Sequence, residues 1–230
     1  MRPLLLLACL LLALFAAACG DDEDTKTDTG SAAATTPAAT TEQAAAPGEC
    51  TPAEPKTHDG KVGKPTGKLD PAKTYVATVV TNCGTFEITL DVKRAPKTSN
   101  SFKHLADEGF YDGLSFHRIV PGFVIQGGDP SGDGTGGPDY SVEEAPPSDL
   151  QYTKGVVAMA KTGAEAPGTS GSQFYVVTGD DAGLPPEYAL LGKVTKGQEI
   201  ADAIEAVETD PSTEQPVNPV VIESIKVTES

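Results

Sequence analysis

Residues 116–129 read FHRIVPGFVIQGGD, and the rest of the chain is organised around them. A guanidinium (Arg118), apolar groups (Phe116, Phe123, Val124, Ile125) and an amide (Gln126) are interleaved at close range, and Pro121-Gly122 calls for a tight turn between two short β-like runs. Ser115 to Ile119 alternates in strand fashion, which predicts Phe116 and Arg118 on one face and His117 on the other. In the next run Val124 and Gln126 share a face. Paired as neighbouring strands, the two runs would bring Arg118, Gln126 and an aromatic to one place, the make-up of an apolar pocket with a few aimed donors. An isolated arginine among apolar residues is more often a surface residue with its stem packed on a strand, so the functional expectation rests on the neighbours.

Working outward, Tyr75–Thr81 and Gly84–Leu90 are β-branched and alternating, with Asn82-Cys83-Gly84 as the turn of a hairpin. The spacing then predicts a helix over 96–108. Pro96 suits a first helical position, Phe102, Leu105 and Ala106 form an apolar stripe, and Gly109 is a good stop. Short apolar runs at 156–160, 173–177, 190–194 and 220–227 read as strands, and a second helix fits 198–207 with Ile200, Ala203, Ile204 and Val207 on one side. Many short strands with two isolated helices suggest a mainly β domain, not βαβ layers. Residues 73–230, about 155 of them, suffice for one core.

FHRIVPGFVIQGGD, followed by GTGG at 134–137 and GSQFYV at 171–176, resembles the signature of the cyclophilin-type peptidyl-prolyl isomerases. The likeness continues upstream through GTFEITLDVKRAPKTSNSFKHLADEGFYDG and downstream through LLGKVTKGQEIADAIEAV, covering roughly residues 73 to 228. The resemblance implies an eight-stranded antiparallel β-barrel, closed on itself and capped by two α-helices, a closure that would remove exposed edges.

It also implies the chemistry. Rotation about a peptide C–N bond has a barrier of about 18 to 20 kcal/mol, because twisting destroys the partial double bond. At the twisted state the prolyl nitrogen is pyramidal and carries a free lone pair, so a donor aimed at it acts only there and lowers the barrier. Arg118 is expected in that role, with Phe123 and Gln126 completing the catalytic set. By resemblance Phe123, Val124, Tyr175 and Leu184 form the pocket for the proline ring, Gln126 bonds the substrate backbone, and Ala160-Lys161 pairs main chain with the peptide. Gln173 would line the neighbouring groove and Tyr188 its rim. No nucleophile, metal or cofactor is required. The partners implied are Pro-containing unfolded or extended polypeptides, and a monomer is expected. A non-catalytic module that binds Pro-containing peptides is the alternative.

The chain departs from the best-known eukaryotic pattern at five positions. Val124 stands where Met is usual, Tyr175 where Phe is usual, Lys161 where Asn is common, Gly183 where Trp occurs and Tyr188 where His occurs. The absent indole is a principal cyclosporin contact in the family, so the resemblance does not carry strong cyclosporin binding over to this chain. His117 belongs to the motif but is read as structural, and His104 as a surface or packing residue.

At the start of the chain, Arg2 precedes an apolar run from Leu4 to Phe15, then Ala16-Ala17-Ala18-Cys19. That is the layout of a secretory signal, too short for a comfortable membrane span. A cysteine after three small residues resembles a bacterial lipoprotein processing site, which implies a lipid on Cys19 and a protein held at the outer face of the cell membrane. Ordinary signal cleavage, giving a secreted soluble protein, is the alternative. The expected organisation is a signal peptide at 1–18, a lipidated disordered linker at 19–72 and the isomerase domain at 73–230. The linker is Asp, Glu, Thr, Ala, Pro, Gly and Lys with almost no large apolar side chain, too little to offset its chain entropy.

The net charge of -16 at pH 7 disfavours nucleic acid and direct adsorption to anionic lipid. Cys50 and Cys83 are a candidate disulfide in an exported chain, with two free thiols as the alternative. GDPSGDGTGGPD at 128–139 has neither EF-hand spacing nor a phosphate-loop lysine and reads as a Gly-rich surface loop.

Overall fold

A β-branched alternating stretch makes the first hairpin of the computed structural model, which describes residues 49–230. The elements are β1 (Tyr75–Thr81), β2 (Gly84–Leu90), α1 (Pro96–Asp107), β3 (Arg118–Val120), β4 (Val124–Gly127), β5 (Val142–Glu143), β6 (Val156–Met159), β7 (Thr169–Ser170), β8 (Phe174–Val177), β9 (Leu190–Lys196), α2 (Gln198–Glu205) and β10 (Ile222–Glu229). Eight of the strands form one curled antiparallel sheet in the order β10-β1-β2-β9-β6-β8-β4-β3, and β5 pairs with β7 apart from it.

The expected closed barrel is not what forms. No ladder joins the edge strands β3 and β10. β3 is only three residues long, so the chain just before it crosses the gap instead. Phe116 N donates to Val220 O (2.9 Å), Ile222 N to Leu114 O (2.7 Å) and Gly113 N to Ile222 O (2.7 Å). The expected mainly β architecture with two helices stands; its closure is a short seam beside a half-barrel.

Period-two alternation sorts the side chains into two clusters. Ile119, Ile125, Val157, Met159, Phe174 and Val176 point into the sheet's concave core with Phe86, Phe102, Tyr111 and Phe116. Their neighbours Val124, Val156, Ala158, Tyr175 and Val177 form a second cluster on the outer face, covered by Tyr152, Leu184 and Tyr188. Both faces of β4, β6 and β8 are therefore covered, which is why these strands read as unbroken apolar runs.

α1 ends where Gly109 takes a left-handed φ of 67°. Its start has no side-chain cap of its own; Glu144, far along the chain, accepts from Lys97 N (3.0 Å) and Thr98 N (2.8 Å). α2 stops at Glu205, earlier than expected, and Val207 N turns back to Ile204 O (3.3 Å).

Composition assigned residues 49–72 to the linker, but the structure lays them along the domain. Thr51 N donates to Asn82 O (2.8 Å), Lys56 N to Gly113 O (2.8 Å) and His58 N to Pro130 O (2.9 Å). His104 Nε2 donates to Gly63 O (2.7 Å), and Asn100 Nδ2 to Gly67 O (2.9 Å). Val62 and Leu69 pack on the core, and a disulfide joins Cys50 to Cys83. A strap with few apolar side chains can be held this way because its backbone groups find partners on the domain and its end is cross-linked. The signal peptide, Cys19 and the earlier part of the linker lie outside the described residues.

Candidate active site

β3 and β4 form the hairpin that the sequence called for. Phe123 N donates to Val120 O (3.0 Å) across Pro121-Gly122, and Gly122 has φ 74°, the left-handed value that this turn requires at its second central residue. The register places Arg118 opposite Gln126, and Gln126 opposite Tyr175 on β8. Three neighbouring strands thus bring a guanidinium, an amide and an aromatic ring together on the outer face.

Beside them is a cup of about 120 Å³ lined by Phe123, Val124, Gln126, Ala160, Lys161, Tyr175, Leu184 and Tyr188. A larger cavity of about 780 Å³ shares Gln126, Ala160 and Lys161 with it and runs past Gln173 under the loop at 134–141. All the residues expected in the ring pocket and at its rim line the cup. Gln173 lines the larger cavity and not the cup.

Arg118 is half-buried, its Cζ 5.8 Å from the centre of the Phe123 ring. Its Nε donates to Glu214 Oε2 at 2.5 Å. Gln126 Nε2 donates to Gln173 Oε1 (3.0 Å), and Gln173 Nε2 donates to Gly134 O (3.0 Å) and Gly136 O (2.8 Å). The amide row ties the pocket edge to the glycine-rich loop, and Gln126 Oε1 accepts no side-chain or backbone hydrogen bond among the described residues.

The rim is a cluster of tyrosines. Tyr175 and Tyr188 meet edge to face, with ring centres 5.7 Å apart. Tyr152 Oη donates to Tyr188 O (2.6 Å) and accepts from Tyr188 N (3.0 Å), and burial pushes its phenol up to about 12. Tyr175 is buried on the cup floor, and burial pushes its phenol far above the usual range. Lys161 folds over the Tyr188 ring, 5.4 Å from its centre, and lies 3.6 Å from Glu187. Its side chain thus forms part of the wall between the two cavities, beyond the main-chain role expected of it. Gly183, where the pattern has an indole, has φ 63° and open space around it.

Two expectations need correction. Phe116 does not share a face with Arg118: it is fully buried in the concave core, because regular strand geometry starts only at Arg118. The 128–139 segment is not merely a surface loop, since Asp129 is buried at its base and accepts from Ser131 N (2.9 Å) and Ser131 Oγ (2.8 Å) and from Gly134 N. His117 is buried against this loop; burial holds its imidazole below the usual histidine range, opposed by the Asp129 carboxylate. Glu214, Tyr152 and Lys161's ammonium were not legible as parts of the site. Only Asp210-Pro211-Ser212, a turn signal, hinted that the segment around Glu214 folds tightly.

A curled antiparallel sheet with a ring-sized apolar cup, a donor at its edge and an open groove alongside defines a protein that grips a small ring within an extended peptide. Residues 76–227 match the family model described as "Cyclophilin type peptidyl-prolyl cis-trans isomerase/CLD". Peptidyl-prolyl cis-trans isomerase B of Streptomyces anulatus is 40% identical over 174 residues, covering 68% of this chain and 98% of the relative. Peptidyl-prolyl cis-trans isomerase A of Mycobacterium tuberculosis is 39% identical over 175 residues, covering 68% and 94%. A cyclophilin-type isomerase of Cryptosporidium parvum, crystallised in the presence of the dipeptide Ala-Pro, superposes with a TM-score of 0.61 at 32% identity, covering 66% of this chain and 98% of that one. The chain belongs to the cyclophilin-type peptidyl-prolyl cis-trans isomerase family.

Proposed function

We propose that this domain catalyses cis-trans isomerisation of X-Pro bonds in extended polypeptides, with Arg118 as the group that stabilises the twisted amide. The single observation that carries this is the register pairing that sets Arg118, which does not itself line the cup, beside Gln126, which does, with the guanidinium against the ring of Phe123. The proline ring sits against Phe123, Val124, Tyr175 and Leu184. An apolar cup holds the ring without gripping the preceding carbonyl, which is left to swing. Arg118 offers its terminal Nη groups to the prolyl nitrogen lone pair, which exists only when resonance is broken. The guanidinium presents its donors as a rigid planar fork, so its direction is kept. Gln126 Oε1 accepts a substrate N–H, and the main chain at Ala160-Lys161 pairs with the peptide. The Ala-Pro dipeptide used with the Cryptosporidium relative supports Pro-containing peptides as the ligand class.

A protease-coupled assay on a short Ala-Pro peptide tests this. Arg118→Ala is expected to lose about 10²–10³-fold in kcat/KM, the scale of losing one aimed donor, with the fold intact by circular dichroism. Equal rates for the two proteins would remove Arg118 from the mechanism.

The domain acts outside the cytoplasm, anchored by a lipid on Cys19, and assists the folding of exported proteins. The Leu4–Phe15 run, the small residues before Cys19 and the Cys50–Cys83 disulfide, which suits an oxidising compartment, support this. Mass spectrometry of the membrane fraction is expected to find diacylated Cys19; an unmodified N-terminus further along the chain would end the anchor.

A further inference from the structure

Between α2 and β10 the chain makes a small braced turn. Asp210 Oδ1 accepts from Ser212 N (2.7 Å) and Ser212 Oγ (2.5 Å), Asp210 N donates to Gln215 O (2.8 Å), and Glu214 N donates to Asp210 O (2.8 Å). The turn docks on β3 through one backbone bond, Ile119 N to Glu214 O (2.8 Å). Glu214 has φ 60°, alone among the described non-glycine residues in the left-handed region. Glycine or asparagine adopts that conformation more readily, so a glutamate held there points to a use for its side chain.

That side chain reaches Arg118. The carboxylate takes Nε at 2.5 Å, while the side chains are 34% and 43% exposed. A surface ion pair of this exposure stabilises a fold little, so its consequence is directional. An arginine has four rotatable side-chain bonds, and a bond at Nε restrains the plane and heading of the guanidinium, while neither Nη is claimed by a hydrogen bond among the described residues. The backbone bond from Ile119 and the ionic bond from Arg118 are made to the same residue, so Glu214 is registered to two consecutive residues of β3.

We propose that Glu214 is a positioning residue for Arg118, holding the guanidinium so that its terminal donors face the prolyl nitrogen. This rests on the role given to Arg118 above. Glu214 touches no substrate and acts only through the arginine. Its contribution should appear in the turnover step, because the lone pair that Arg118 meets is absent from the ground state.

The test compares Glu214→Gly, Glu214→Gln and Arg118→Ala with the unsubstituted protein on an Ala-Pro peptide, by kcat and KM, together with melting temperature and the NMR signal of the Arg118 Nε–H. Glycine removes the carboxylate yet suits φ 60°, so the turn keeps its shape and the melting temperature is expected to hold or rise. The Gly variant is expected to lose about tenfold in kcat with KM within about twofold, the scale of a misdirected but present group. Its Arg118 Nε–H signal should return to the position of solvent-exposed arginines. Glutamine, a neutral acceptor, should restore most of kcat and part of the signal shift. Unchanged or increased kcat in the Gly variant, with Arg118→Ala inactive, would overturn the positioning role and leave Arg118 in place. Full activity of Arg118→Ala would overturn the role of Arg118 itself, and this inference with it.

Discussion

Tyr152 holds Tyr188 by both backbone groups at once, its hydroxyl donating to Tyr188 O at 2.6 Å and accepting from Tyr188 N at 3.0 Å. One side chain thereby sets the position of the cup's rim. Tyr152→Phe leaves both backbone groups without that partner at a half-buried site. A stability loss of about 1–2 kcal/mol is expected, with KM raised several-fold and kcat nearly unchanged, since the rim binds ring and transition state alike. Urea titration and steady-state kinetics read the two effects; an unchanged KM would show that the rim does not hold substrate.

Arg118→Lys separates charge from geometry. Lysine keeps the positive charge but has a single nitrogen, which can meet Glu214 or reach into the cup but cannot do both. Its kcat/KM is expected to fall to within about tenfold of Arg118→Ala. A lysine variant with near-normal turnover would mean that the local field alone suffices and that the fork geometry is dispensable.

The site was legible where strand parity governs. Val124 and Gln126 sit at alternate positions of β4 and so share a face; Tyr175 was expected with them only by resemblance, and the β4–β8 register sets it opposite Gln126. Parity failed at Phe116, two residues before β3, where no ladder enforces alternation. It could not reach Glu214, which lies 96 residues from Arg118 in a polar turn whose composition announces a turn and nothing of what it faces. The strap at 49–72 was misread because composition measures what side chains can bury, whereas this segment is held by backbone hydrogen bonds and a cross-link. Barrel closure came from the resemblance, and a three-residue β3 is too short to supply the ladder.

His117 gives the domain a pH dependence. Burial lowers its folded-state pKa, with Asp129 and Asp133 opposing and Arg118 adding to the shift. The unfolded chain, with a histidine near ~6.5, therefore takes up the proton first as pH falls. The stability contributed is complete above that value and is lost as pH drops through it toward the folded-state pKa. Denaturant midpoints measured between about pH 7.5 and 5.5 should fall for the unsubstituted protein and fall less for His117→Gln. Equal slopes would place the titrating group elsewhere.

The disulfide and the strap make one mechanical unit. Cys50–Cys83 closes a separation of 33 residues, which by chain entropy limits the unfolded state by about 3–4 kcal/mol. Next to it, Asn82 Nδ2 donates to Thr51 O (2.6 Å) and Pro219 O (3.1 Å), and its Oδ1 accepts from Val221 N (2.8 Å). The cross-link therefore fixes the strap where the first hairpin and the seam meet. The cup is lined by β4, β8 and the segments that precede β4 and follow β6 and β8, and no residue of the strap lines it. Cys50→Ser with Cys83→Ser is expected to lose up to that 3–4 kcal/mol while kcat/KM at room temperature stays within about twofold. Loss of the cross-link should also expose the strap to trypsin at Lys56 and Lys61, because the hydrogen bonds that remain are individually weak. Mass mapping of brief digests reads this directly: cleavage there in the Ser variant and not in the oxidised protein is the expected pattern. Equal protection in both would mean that the backbone bonds alone hold the strap and that the disulfide acts only on the unfolded chain.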